Sequence, residues 1–192
     1  MQYHRHIVSA ALALLAWTIP ANAAAPEPDG ELAVATLPVA TWIAVETRDH
    51  ATGETGAAAI LLGVAQERGF GWQAVLRAAS FGRPTMVRID SPAFALHPGA
   101  TNVAVTASLD GGPFRSGAWQ VSGDGKGLEL TDEAAIAFLV GLYGKRELRL
   151  AVVRPLSVPF VLTFAVAGAE HGLALVAERG GWAAPALSEA RH

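Results

Sequence analysis

Three alternating segments separated by two glycine-rich turns constrain the fold more strongly than any other feature of the sequence. Apolar and polar residues alternate, as in strands with one buried face, over 102–109, 119–122 and 128–130. The segments are separated by Asp-Gly-Gly-Pro at 110–113 and Gly-Asp-Gly-Lys-Gly at 123–127. Such sequences supply the positive φ angles that hairpin turns need. We therefore predict two consecutive antiparallel hairpins, with Trp119 facing the core.

Two functional interpretations of these turns fail on spacing. A calcium-binding loop needs oxygen ligands at alternate positions, whereas Asp124 is followed there by Lys126 and Leu128. A phosphate-binding loop needs a glycine where Gln120 stands, and a serine or threonine where Gly127 stands. We predict that both turns only reverse the chain and bind neither a cofactor nor a metal.

The rest of the chain contains more strand signals than helix signals. Further strands are predicted at 41–45, 58–65, 85–89, 148–152 and 160–166. A first helix begins after the N-cap residue Thr131 and ends near Gly144, and a second spans Ala169–Arg179. Residues 72–79 fit both a helix and a strand, so their structure stays open.

The order of these elements disfavours a parallel sheet, because strands do not alternate regularly with helices. The predicted fold class is mainly β. It is an antiparallel sheet, either a sandwich or a partly open barrel, packed by two short C-terminal helices. We expect a single β-rich domain over residues 38–182, preceded by a flexible lead-in at 24–37 and followed by a flexible tail at 183–192.

The first 23 residues have the three-part pattern of a secretory signal peptide. A start containing Arg5 is followed by an apolar run from Ile7 to Ile19, then by Pro20 and the small-residue cleavage site Ala21-Asn22-Ala23. The run is too short for a membrane anchor, since it rises about 20 Å as a helix against a hydrocarbon core of about 30 Å. We predict cleavage after Ala23, a periplasmic or secreted location, and a mature chain that does not span the membrane.

The net charge and the lack of cysteine argue against several kinds of binding partner and of chemistry. Removing the signal peptide removes Arg5 and changes the net charge from −3 to −4, which argues against nucleic acid as a partner. The chain has no cysteine, so it has no disulfide, no thiolate metal ligand and no thiol nucleophile. An exported chain of this kind depends on its hydrophobic core for stability.

The C-terminal half resembles two families of exported bacterial proteins. SLDGGPFRSGAW, SGDGKGLEL, the acidic-capped helix TDEAAIAFLVGLYG and the segments RELRLAVV, PFVLTFAVAG and ERGGW carry the resemblance. They look like the C-terminal part of the type VI secretion-associated periplasmic proteins, and they are similar to the invasion-associated locus B family. The resemblance covers residues 84–182, and this chain lacks the cysteines those families usually carry. The resemblance implies an exported accessory protein of a cell with a Gram-negative-type envelope. It identifies no catalytic residue in this chain.

Candidate reactive groups are few and scattered. Ser80, Asp90 and His171 follow the chain order of a hydrolase triad, but the strand–turn–helix that exposes such a serine is not predicted. Asp49, His50 and Glu54 could ligate a metal only if further ligands converged on them. We predict no catalytic, cofactor-binding or metal-binding residue and no enzyme activity.

Two groups of residues are candidates for binding. A basic cluster around one predicted strand could receive an acidic partner, and it consists of Lys145, Arg146, Arg149 and Arg154. A charged edge strand that prevents aggregation would look the same. The tryptophans Trp42, Trp72, Trp119 and Trp182 could line a ligand groove or simply fill the core.

Together these observations predict an exported, non-catalytic envelope protein that acts through a protein partner in the cell envelope or outside the cell. The alternative function is a periplasmic binder of a small apolar ligand or lipid, which would need strands that enclose a cavity.

Overall fold

Antiparallel strands dominate the part of the chain that the computed structural model describes, which comprises residues 40–48, 53–67, 70–82, 84–92, 94, 102–152 and 160–182. The predicted signal peptide, lead-in and C-terminal tail lie outside these residues. The strands are β1 Ile43–Arg48, β2 Thr55–Glu67, β3 Phe70–Ser80, β4 Thr85–Asp90, β5 Asn102–Leu109, β6 Arg115–Val121, β7 Gly127–Thr131, β8 Glu147–Val152 and β9 Phe160–Ala165. The helices are α1 Asp132–Gly141, α2 Ala169–Gly172 and α3 Ala174–Gly180. None of the described helices is long and apolar enough to cross a membrane.

Eight of the strands close into a barrel. The nine-stranded sheet has the order β1-β2-β3-β4-β7-β6-β5-β8-β9, and an additional pairing of β2 with β9 joins its ends. That closing ladder is short, with the partners Val64–Thr163, Ala65–Leu162 and Gln66–Val161. The first half of the same β2 edge pairs with β1, which therefore lies outside the closed ring as a ninth strand. The predicted fold class is confirmed, and the barrel is closed.

The barrel interior follows from the alternation of side chains along each strand. Buried residues are register partners from one strand to the next, for example Leu61–Leu76, Leu76–Ile89, Ile89–Leu128 and Leu150–Leu162. Buried alanines line β2 and β3, whereas β8 and β9 contribute leucines and phenylalanines such as Leu150 and Phe164. Eight-stranded barrels are just wide enough for side chains to fill. Small residues on one side thus leave room for large ones on the other.

The predicted core position of Trp119 is confirmed. Its side chain is 4% exposed, and its ring contacts Phe138 of α1 edge-to-face with ring centroids 5.2 Å apart. Helix α1 therefore packs directly against an interior residue of the barrel.

A buried hydrogen-bonded chain lies where α3 is followed by Trp182. The indole Nε1 of Trp182 donates to Thr85 Oγ1 at 3.0 Å, and Thr85 Oγ1 lies 3.3 Å from Ser80 Oγ. Ser80 in turn donates to the carbonyl of Gly82 at 3.1 Å. These residues stand at the end of β3 and the start of β4, so the C-terminal helix is fastened to that end of the barrel.

Aromatic side chains fill the opposite end. Phe160 packs against Trp72 and Phe94, with ring centroids 6.1 and 5.6 Å apart. Phe94 is 5% exposed and Phe160 1%. The described residues thus pack bulky side chains at both ends of the barrel.

The structure tests the predictions for β3, for the two hairpin turns and for the start of α1. The open interval 72–79 is strand, within β3. The hairpin turns occur as predicted, with φ of 50° at Asp110 and 71° at Gly111, and with Ser122 bonded across the second turn to Gly127. Thr131 occupies the N-cap position, but its side chain makes no capping hydrogen bond.

The predicted helix Ala169–Arg179 is wrong in one respect, because it is divided at Leu173 into α2 and α3. Gly172 packs directly against the ring of Trp42, which leaves no space for a side chain there. Leu173 is fully buried and has φ −97° and ψ −3°, so its burial accompanies a bend between two short helices.

Candidate interaction surfaces

The predicted basic cluster is interleaved with acidic groups. Arg149 of β8 lies 2.7 Å from a carboxylate oxygen of Glu147 and points outward. The carboxylate of Asp110 accepts hydrogen bonds from the backbone N–H groups of Arg146 at 2.8 Å and Glu147 at 3.0 Å. These bonds, together with the charges of Lys145 and Arg146, hold the pKa of Asp110 below its usual range.

Positive and negative charges therefore nearly cancel on the surface of this cluster. Lys145, Arg146 and Arg149 share it with Asp110 and Glu147, and Arg154 lies outside the described residues. An acidic partner would meet little net positive charge there. The cluster stays a prediction as an interaction site.

The residues proposed for a hydrolase triad do not come together. Ser80 is buried and hydrogen-bonded to Gly82 and Thr85. Asp90 is at the other end of β4, opposite Val75, which is five residues or about 17 Å along β3 from Ser80. Its side chain is held by Arg88 on the outside of the barrel, and His171 is exposed on α2.

The other predicted groups are also dispersed. Asp49 and His50 lie outside the described residues, and no group of three metal-ligating side chains forms within the described ones. The four tryptophans occupy separate places. Trp72 packs at the aromatic end, Trp119 lies under α1, Trp182 bonds to Thr85, and Trp42 contacts Gly172 of α2. They fill the core instead of lining one groove.

An ionic network on the outside of β4 and β7 was not predicted from the sequence. Arg88 contacts Asp90 at 2.7 Å, Asp124 at 2.7 Å and Glu129 at 3.1 Å. Arg88 and Glu129 are register partners, and Asp124 belongs to the turn between β6 and β7. The only sequence signal was the spacing of Arg88 and Asp90, because the other contacts depend on which strands pair.

The pKa shifts in this network reflect a balance between burial and the contacts of its groups. Burial by itself lowers the pKa of Arg88, but its hydrogen bonds to Asp124 and Asp90 raise it above its ordinary value. The hydroxyl of Ser122 and then Arg88 lower the pKa of Asp124. Burial raises the pKa of Glu129 despite its bond to Arg88. Because all three nitrogens of this guanidinium contact carboxylates of the chain itself, Arg88 acts as a structural clamp between β4, β7 and the turn before β7.

A second unpredicted feature is an apolar surface on the outside of β1, β2 and β3. Large hydrophobic side chains that remain exposed in the described residues are Ile43 at 45%, Val45 at 39%, Leu62 at 43% and Phe114 at 59%. The first three share one side of the sheet, because Ile43 pairs with Ile60, Val45 with Ala58, and Leu62 with Val75. We call this surface the outer apolar face, and it consists of Ile43, Val45, Ile60, Leu62 and Val75. On β3 it is bordered by the exposed Arg77, the register partner of Ile60.

Charged residues of β1 lie on its other side. Glu46 and Arg48 alternate with Val45 and Thr47, so they point away from the outer apolar face. Glu46 is bound by Arg179 of α3 at 2.6 Å, and Arg48 Nε donates to the carbonyl of Gly53 at 3.1 Å. Groups of exposed apolar side chains are typical of interaction sites in monomeric proteins.

Phe114 belongs to a separate place, next to β6. Residues 115–119 of β6 pair with β5 alone, since the β6–β7 ladder contains only Gln120 and Val121. A shallow depression of about 360 Å³ lies on this exposed part, lined by Asn102–Ala104 and Ser116–Ala118.

The architecture defines a class: a closed eight-stranded antiparallel barrel with one additional outer strand and short helices packed on it. No protein-family model, curated protein or solved structure matches the chain at a significant level.

Proposed function

We propose that this protein is an exported, non-catalytic envelope protein that acts through a protein partner bound on the outer apolar face. The observation that carries the proposal is the position of the exposed hydrophobic residues. Ile43, Val45 and Leu62 share one face, and β1 contributes no charge to it. Burying such a face against another protein would remove its apolar area from water, which is the main driving force of association.

Export rests on the sequence. The signal-peptide pattern of residues 1–23 and the resemblance of residues 84–182 to exported accessory proteins of Gram-negative-type envelopes support a periplasmic or secreted location. N-terminal sequencing of the protein from the periplasm or the medium should find Ala24 first. A mature protein that retains Met1 would contradict export by cleavage.

A protein is favoured over other partners by charge. The mature chain carries a net charge of −4, which disfavours nucleic acid and anionic lipid surfaces. The outer apolar face also lies on the convex outside of the barrel, whereas small ligands bind in concave sites.

The test compares two substitutions of the same kind. Leu62→Lys places a charge in the outer apolar face, and Phe114→Lys places one at another exposed hydrophobic residue, away from that face. The tagged parent and both variants are cross-linked with formaldehyde in the intact native host and purified. We expect a cross-linked species that joins this chain to a different protein from the parent and from Phe114→Lys, and its loss from Leu62→Lys.

Thermal melts of the three purified proteins serve as the control for folding, and all three should agree. Survival of this cross-linked species in Leu62→Lys, or its equal loss from both variants, would rule out the outer apolar face as the partner site.

The alternative function, a binder of a small apolar ligand or lipid, would need an enclosed cavity. The described interior positions are occupied by bulky buried side chains such as Phe160, Leu162 and Phe164. The depression beside β6 is open to solvent along exposed residues. The partner hypothesis therefore has the stronger physical basis.

A further inference from the structure

β1 has an edge that no other described strand covers. It pairs with β2 over Ile43–Arg48 and stands at one end of the strand order. Alternate residues of an edge strand direct their backbone N–H and C=O groups away from the sheet, where they can pair with another strand. Proteins often protect such edges with proline, a bulge or outward charges. β1 has no proline, its register with β2 is unbroken, and its charged side chains point to the helix side.

The sequence of β1 is complementary to itself. Two copies that pair antiparallel about a twofold axis perpendicular to the sheet keep their outer faces on the same side. Such an axis passes beside a single residue of β1. An axis beside Glu46 would bring two glutamates opposite each other, which is unfavourable. An axis beside Val45 would pair Val45 with Val45, but it would place Ile43 opposite the polar Thr47 and Ala44 opposite the charged Glu46 of the second copy.

An axis beside Ala44 gives the best match. Each Ile43 then faces Val45 of the second copy, so the two most exposed apolar side chains of β1 pair with each other twice. Ala44 meets Ala44, which permits close approach. Each Glu46 lies beyond the paired residues of β1, opposite Trp42 of the second copy, so the two glutamates stay apart; in the chain itself Glu46 is bound by Arg179.

We propose that β1 is a homodimerisation edge, at which two copies of this chain join their sheets through an antiparallel ladder centred on Ala44. The pairing makes one continuous outer surface from two outer apolar faces. Because this register pairs only residues 43–45 of β1 with the second copy, the dimer dissociates on dilution. This inference does not depend on the proposed partner, since Leu62 lies on β2, away from the seam.

The first test measures the mass of the purified mature chain over a range of concentrations by analytical ultracentrifugation. We expect the parent to move from monomer to dimer as its concentration rises. Val45→Lys should raise the dissociation constant by about tenfold or more, because it replaces two apolar pairs with unpaired charges at the seam. Leu62→Lys is the matched control and should dimerise like the parent.

Each other outcome overturns the proposal. A parent that stays monomeric up to millimolar concentration has no such edge pairing. Equal loss of dimer in Leu62→Lys and Val45→Lys would mean that the faces stack on each other instead of the edges pairing. A parent dimer that is unchanged in Val45→Lys would place the contact elsewhere.

The second test addresses the register. In the ladder centred on Ala44, the double variant Ile43→Glu with Val45→Lys places a glutamate opposite a lysine twice. It should recover dimerisation relative to Val45→Lys alone, and the recovery should weaken as salt is added. In a ladder centred on Val45, the same variant would place the two lysines opposite each other. Absence of recovery would therefore reject the proposed register.

Discussion

The buried chain from Trp182 to Ser80 allows a sharp prediction of stability. Thr85 is 3% exposed and Trp182 is 8% exposed, and the indole N–H has Thr85 Oγ1 as its acceptor at 3.0 Å. Thr85→Val preserves the shape of the side chain but leaves that N–H buried without an acceptor. A buried unsatisfied group costs about 1–3 kcal/mol, so we expect the free energy of unfolding to fall by that amount.

A double-mutant cycle separates the hydrogen bond from other effects. Trp182→Phe removes the donor and part of the ring, so it should cost at least as much as Thr85→Val. In the double variant both the donor and the acceptor of this hydrogen bond are absent, so neither is left buried without its partner. Its cost should fall short of the sum of the single costs by about 0.5–1.5 kcal/mol, the net worth of one such bond. Against a total stability of about 5–15 kcal/mol, this difference is measurable.

Urea unfolding at neutral pH provides the assay, with Thr163→Val as the control. Thr163 is a half-buried threonine on the outside of β9, and its replacement should change stability by less than about 0.5 kcal/mol. Costs that are strictly additive, or a Thr85→Val variant as stable as the control, would refute the assigned role of this hydrogen bond.

Two further predictions concern the core and the turns. Trp119→Ala should lower the free energy of unfolding by about 3–5 kcal/mol, because a buried Trp that packs on Phe138 leaves a large cavity, and an unchanged thermal melt would contradict this packing. Folding lowers the pKa of Asp110 and Asp124, so their stabilisation is present above the unfolded carboxyl pKa of about 4 and is lost as the pH falls below it. Glu129 acts in the opposite direction because its folded pKa is raised. The double variant Asp110→Asn with Asp124→Asn should therefore lose less stability than the parent between about pH 5 and pH 2, as urea midpoints will show, and equal losses would mean that these two carboxylates are not involved.

Structural features that depend on residues close together in the sequence were predictable. The alternation over 102–130 and the Asp-Gly and Gly-Gly turns identified β5, β6 and β7, and the burial of Trp119 followed from its phase in the strand. The division of the second helix was not predictable, because it accompanies contact between Gly172 and Trp42, which are far apart in the sequence.

Features that depend on strand pairing were missed for the same reason. The clamp around Arg88 needs β4 beside β7, and the outer apolar face needs β1 beside β2. In the sequence, Ile43 and Val45 look like the residues of an ordinary buried strand. Only the register shows that this strand lies outside the ring, where its hydrophobic side chains are exposed.

The closing ladder between β2 and β9 also sets when the protein can fold. Val64 and its partner Thr163 are 99 residues apart, and the bond from Trp182 to Thr85 spans 97. Pairing of such distant segments is slow because the intervening chain must first be ordered. If the N-terminus of the chain emerges first, the barrel therefore cannot close until nearly all of β9 has emerged as well. Before that moment β2 has an open edge over Val64–Gln66, which gives a protease or a chaperone an interval in which to act.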